Sequence, residues 1–171
     1  MENYIVKYFR NTRNYSAERF VLEMFFILLV LNCVVHVISY YILPLFGMDV
    51  LNNFEGRGEL LLRFHWVFSF FLACIFMPFV ETITAQMIPI IVGSKFITSK
   101  LTLILISASI FTYLHSSYPA IILVYIFLAG IIYAWSFITY RKEGCFAAVF
   151  ITSIIHGLSN LPPFLSTFLF R

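Results

Sequence analysis

From Met24 to Phe46 no charged side chain interrupts the chain, a run long enough to cross a bilayer as one helix. A polar stretch from Gly47 to Arg63 follows, with Asp49, Asn52, Asn53, Glu55, Arg57 and Glu59, and predicts a loop. It reads as a connector, with gating of a substrate as the alternative. Phe64 to Met77 is apolar but short, and Pro78 breaks or kinks it. A second helical piece is predicted from Phe79 to Val92, ending at Gly93 and Ser94. The next apolar segments are Leu101 to Ser117, ending before Pro119, and Ala120 to Tyr140, stopping at the turn Arg141-Lys142-Glu143-Gly144. A last one, Cys145 to Phe170, is interrupted at Pro162-Pro163. There is no repeat and no low-complexity linker. The pattern predicts an all-α, polytopic membrane helix bundle of about five spans, with a Pro-broken helix at Pro78.

Composition decides the solvent. Of 171 residues 61% are hydrophobic, 21 are Phe and only 11% are charged, against roughly 25% charged in a soluble domain. A soluble fold this small buries only about two-thirds of its chain surface, too little to hide such a sequence. Mean hydropathy is +0.94, so the solvent is lipid. A cytosolic enzyme, a nucleic-acid-binding module and a disulfide-stapled secreted domain are excluded. Cys33, Cys74 and Cys145 lie in apolar runs without metal-like spacing and read as buried small hydrophobes. Residues 1–19 are polar and basic and form a lead-in, with Asn11 to Glu18 solvated or interfacial. The apolar run that follows is too long for a cleavable signal. Residues 20–171 then form the membrane bundle.

Basic residues set the orientation. Lys7, Arg10, Arg13 and Arg19 fall on one side with Lys95, Lys100, Arg141 and Lys142, provided residues 64–92 cross once. They outnumber Arg57, Arg63 and Arg171 on the other side. The N-terminus is therefore expected on the cytoplasmic face.

Few polar groups interrupt the spans, and an ionisable group at membrane depth is a functional candidate by default. His36 and His65 read as packed or hydrogen-bonding residues, His65 at an interface beside Arg63. Glu81 lies 14 residues before Lys95, His115 lies 15 after Lys100, and His156 lies 14 after Lys142. At about 1.5 Å per residue each sits roughly 21–23 Å from the same membrane face. Three helices thus present a carboxylate and two imidazoles at one level. His156 and Asn160 share a helix face, as do Phe111 and His115. A carboxylate facing an imidazole can activate water, and a second His with an Asn can donate to a developing oxyanion. The pattern points to hydrolysis of an acyl bond inside the membrane.

These residues also carry a resemblance. Met77-Pro78-Phe79-Val80-Glu81-Thr82-Ile83-Thr84-Ala85-Gln86 resembles the Pro-x-x-Glu-Glu-x-x-x-Arg motif of the CPBP intramembrane proteases. That family comprises the CAAX prenyl proteases and the bacteriocin-processing or immunity proteins. Phe111-x-x-x-His115 is similar to its second motif and His156-x-x-x-Asn160 to its third. Gly130-Ile-Ile-Tyr133 and Arg141-x-x-Gly144 look like its Gly-rich helix and Arg-x-x-Gly turn. The likeness covers about residues 64–165. It implies an intramembrane endopeptidase with Glu81 activating water, His115 as its partner, His156 and Asn160 stabilising the oxyanion, and Phe111 packing the site. The sequence departs at Thr82 and Gln86, where the family has a second Glu and an Arg. Two neutral groups replace an ion pair, which preserves the local charge balance and alters the electrostatics around Glu81.

No cofactor is expected; a zinc ion, if one were used, would fall on Glu81, His115 and His156. The partners implied are the lipid bilayer and a peptide or membrane-protein substrate, with no nucleic acid. The implied location is the plasma membrane of a prokaryote. Nothing in the sequence indicates a prenylated substrate. The alternatives are a non-catalytic membrane scaffold or bacteriocin self-immunity protein with the same fold, and a small transporter using Glu81 and the histidines as a proton relay. The relay ranks last, because the polar groups cluster at one depth instead of forming a continuous path.

Overall fold

A computed structural model describes residues 15–47 and 64–169. Lys7, Arg10, Arg13, Arg57, Arg63, Arg171 and nearly all of the loop considered as a gate lie outside the described residues. Among the described residues there are five principal helices and no strand. Helix α1 is Ala17–Val37, prolonged by a π-helical turn Ile38–Ile42 and a 3-10 turn Leu43–Phe46. Helix α2 is the rod Trp66–Gly93. Helix α3 is Lys100–Leu114, and α4 is Ala120–Tyr140, followed by the 3-10 turn Arg141–Glu143. Helix α5 is Cys145–Leu169. Four of these elements are long and apolar enough to cross a membrane, and α3 is a shorter apolar helix. The protein is an integral membrane helix bundle.

Local chemistry explains the ends. The Ser16 side chain accepts from the Arg19 N–H and starts α1, so the helix begins inside the segment read as a lead-in. Arg19 also pairs with Glu23 one turn on, at 2.9 Å. The α1 extension closes at Gly47, whose φ of 71° is left-handed. His65 accepts from the Val67 N–H and caps α2, while His36 lies against the Tyr40 ring on an exposed face.

Two expectations are corrected. Pro162-Pro163 does not interrupt the last helix, since α5 runs through both. In an apolar medium a break would strand more backbone groups than the two N–H donors that the prolines lack. The three cysteines are not alike: Cys74 is buried, whereas Cys33 and Cys145 are exposed. In lipid an apolar position need not face inward, so hydrophobic neighbours in sequence do not predict burial. Helix α1 shows this directly. Phe20, Met24 and Leu28 are fully buried on one face, while Phe26, Val30, Val34 and Val37 are about half exposed on the other.

Helix α3 packs on α4, α4 on α5, and α1 on both α4 and α5; the middle of α2 lies against α3, α4 and α5. Because lipid tails are as apolar as Leu, close backbone approach is what holds such helices together. Gly130 allows it between α4 and α3, where a Cβ would stand 3.1 Å from the Ala108 Cα.

Candidate active site

The site is built around two interruptions of α2. Its α-helical segments alternate with π-helical turns at Leu72–Phe76 and Thr82–Met87. In the first, the Met77 N–H reaches back to the Leu72 carbonyl. The Ala73 carbonyl thereby loses its usual donor, and Pro78, next in the π register, has no N–H to give. Helix α5 supplies the missing donor: Asn160 Nδ2 donates to the Ala73 oxygen at 3.0 Å. One turn before it, Gly157 lies so close that a Cβ there would collide with the Cys74 carbonyl. The second interruption uses the same device. Pro89 cannot donate to Ala85 four residues back, and the Ser107 hydroxyl of α3 donates to that oxygen at 2.7 Å. Both side chains seal carbonyls that a membrane interior could not leave bare. They also fasten to α2 the two helices that carry His156 and His115.

Glu81 closes the α-helical turn between these interruptions. Its Oε2 lies 3.8 Å from His115 Nε2 and 3.5 Å from His156 Nε2. The structure thus brings together a carboxylate from α2 and imidazoles from the end of α3 and from α5. Glu81 and His115 keep side-chain exposures of 16% and 12%, while His156 has 4%. Two of the three groups are therefore open to the surface.

The two histidines differ in what holds them. His115 caps α3, and its Nδ1 lies 2.8 Å from the Phe111 carbonyl. A carbonyl only accepts, so Nδ1 carries a proton, and His115 in its neutral form would present the Nε2 lone pair toward Glu81. His156 Nδ1 is buried with no partner among the described residues. The carboxylate beside its Nε2, itself an acceptor, favours the proton there. The His156 ring stacks on Tyr133 at 4.4 Å and 24°. Phe111 meets it edge-on at 5.4 Å and also lies 4.6 Å from the His115 ring.

Asn160 stands one turn beyond His156, with one N–H committed to Ala73. Thr82 and Gln86 are fully buried in the second π-helical turn, and neither Thr82 Oγ1 nor the Gln86 amide has a hydrogen-bond partner among the described residues. Tyr133, Ser159 and Ser107 belong to the site's frame and were not singled out as site residues from the sequence. The Tyr133 hydroxyl is 2.5 Å from Ser159 Oγ, which donates to the His156 carbonyl at 2.7 Å. Tyr133 lies only eight residues before Arg141, so counting residues to the membrane face does not select it. The prolines were the available signal for Ser107, because each proline in a membrane helix leaves a carbonyl that needs a partner.

Among the described residues no group of three His, Cys, Asp or Glu side chains is disposed to hold a metal ion.

No curated protein and no solved structure matches the chain. Residues 63–162 match the family described as type II CAAX prenyl endopeptidase Rce1-like. That span contains Glu81, His115, His156 and Asn160, together with both proline interruptions of α2. With more than half its length matched, and with its membrane helices arranged as described, this chain belongs to the Rce1-like family of CAAX-type intramembrane endopeptidases.

Proposed function

We propose that this protein is an intramembrane endopeptidase that hydrolyses a peptide bond with water activated by Glu81. One observation carries the reading: a single carboxylate oxygen lies 3.5–3.8 Å from two imidazole nitrogens supplied by two other helices. The 3.8 Å gap to His115 is too long for a direct hydrogen bond and suits two acceptors sharing one water. Glu81 takes a proton from that water while its oxygen attacks the scissile carbonyl. His156 Nε2–H and the second N–H of Asn160 donate to the resulting oxyanion. The tetrahedral species then collapses, and Glu81 returns the proton to the departing amine. Water and peptide become one carboxylic acid and one amine.

The substrate is a peptide or membrane-protein segment presented near or within the bilayer, such as a leader peptide or a lipoprotein-like tail. The location is a prokaryotic plasma membrane, with the N-terminus cytoplasmic. Helix α3 explains how such a site is reached. Its 15 residues rise about 22 Å, short of a hydrocarbon core of about 30 Å. His115 at its end therefore stands at membrane depth, beside the partly open Glu81. A second reading, a non-catalytic scaffold or self-immunity protein, is favoured by Thr82 and Gln86, without partners among the described residues, at the positions of the family's ion pair.

A mass-spectrometric cleavage screen decides between them. Wild type and Glu81→Gln, at equal folded concentration in nanodiscs, receive the same diverse peptide pool. Products that appear only with wild type are the expected result. If both folded proteins yield the same products, or none, the scaffold reading takes its place.

A further inference from the structure

About a dozen residues from Glu81 along α2, at the end of the bundle that carries the basic turns, a cleft of about 490 Å³ lies between the ends of α2, α3 and α4. Its rim holds Lys100, Arg141 and Lys142 with the hydroxyls of Ser94 and Thr98, and its floor is apolar: Ile97 and Ile138 are partly exposed, with Ile90 and Leu103 also lining it. Ile90 is fully buried and Leu103 nearly so. Among the described residues none of the three cations pairs with a carboxylate. Among the described residues neither Glu18 nor Glu143 lines the cleft.

Arg141 is the telling residue. A cation placed only to mark the cytoplasmic side would extend into water. The Arg141 guanidinium instead crosses to another helix and rests both terminal nitrogens on one acceptor, Ser94 Oγ, each at 3.3 Å. Two donors on one distant hydroxyl form a poor pair, whereas two oxygens of a phosphate would take both. The first turn of α3 opens beside the same cleft, with Ser99 as its cap, and helix N-termini favour anions.

We propose that this cleft binds a phosphate ester, and that its source is the headgroup of an anionic membrane lipid. Basic pockets between membrane helices are suited to such headgroups. The apolar floor adds the reason to favour a lipid over a soluble phosphate. A headgroup held by Arg141, Lys100 and Lys142 leaves its acyl chains against the partly exposed Ile97 and Ile138 of the cleft and the exposed Leu101 beside it, whereas a free phosphate has no use for that floor. The site does not depend on the peptidase reading, because none of its residues touches Glu81.

The test is lipid retention by the full-length protein, counted by native mass spectrometry from detergent. Phosphatidylglycerol and phosphatidylcholine are offered in equal amounts, with and without excess inorganic phosphate. Wild type is expected to retain phosphatidylglycerol at least fivefold over phosphatidylcholine. Arg141→Gln combined with Lys100→Gln should abolish that preference. Lys95→Gln, a neighbouring cation outside the cleft, should preserve it, and Arg141→Lys alone should retain part of it. Displacement of the lipid by inorganic phosphate would uphold the anion site and reassign its source to a soluble phosphate. An unchanged preference in the double variant, or an equal loss with Lys95→Gln, overturns the proposal. Thermal unfolding of each variant in the same detergent separates lost binding from lost fold.

Discussion

At the scale of single residues, the two histidines beside Glu81 are set apart by their second ring nitrogen. His115 donates its Nδ1–H to the Phe111 carbonyl, so that in its neutral form it meets Glu81 as an acceptor. Among the described residues His156 has no such partner, and its ring is held by stacking on Tyr133 and by the edge of Phe111. The pair therefore divides into an acceptor suited to share the activated water and a donor suited to an oxyanion. His156→Ala should lower turnover by about 100-fold or more, the size of a lost oxyanion donor. The measurement is initial rate on a product found in the wild-type screen. Turnover equal to wild type in folded protein would remove His156 from the chemistry. The distinct roles of the two rings were not legible in the sequence. Spacing along a helix places an imidazole at a depth, but the direction of its proton depends on which carbonyl or ring lies beside it.

At the scale of elements, α2 is one rod because its interruptions are completed by other helices. Pro78 stood out in the sequence as a break, and in the structure it is a docking point. The carbonyl it leaves bare at Ala73 receives Asn160, and Gly157 permits the approach at Cys74. Ala85, beneath Pro89, receives Ser107 in the same way. Asn160→Ala should cost about 1–3 kcal/mol, because it strands a buried acceptor. Gly157→Ala should cost about 1–3 kcal/mol or more, since a methyl group has no room against backbone. Denaturant unfolding in a fixed detergent reads both. An Asn160→Ala variant as stable as wild type would mean that the Ala73 bond contributes nothing to holding α5 on α2. Asn160 thus has a fastening duty separate from its proposed use as a donor to the oxyanion.

At the scale of the whole molecule, orientation follows from charge. Cys145 is exposed at the start of α5, beside Arg141 and Lys142, and so reports on the face expected to be cytoplasmic. In a Cys33→Ser, Cys74→Ser background, a membrane-impermeant maleimide should leave Cys145 unlabelled in intact cells and label it after permeabilisation. Labelling in intact cells would invert the topology and place the basic cleft on the outer face. The same bundle puts two features at different depths. Glu81 and the imidazoles lie toward the end of the short α3, whereas the cations gather at its beginning. A lipid headgroup at one end and a peptide at the other need not compete for space.

The sequence alone determined the solvent, the spans and the level at which Glu81, His115 and His156 stand. These are properties of one helix at a time. Apolar length sets what crosses a bilayer, and a constant rise per residue turns residue number into depth. The motifs likewise carried the family, because their residues recur in order along the chain. Tertiary structure decided what surrounds each group: Tyr133 against His156, Asn160 on Ala73, Arg141 over Ser94, Thr82 and Gln86 buried without partners among the described residues, and Cys33 and Cys145 exposed. Those outcomes depend on how each helix is rotated about its axis against its neighbours. In lipid both faces of a helix are apolar, so the sequence lacks the polar stripe that marks the outer face of a soluble helix. Rotation is left to close packing and to the few carbonyls that must find a donor.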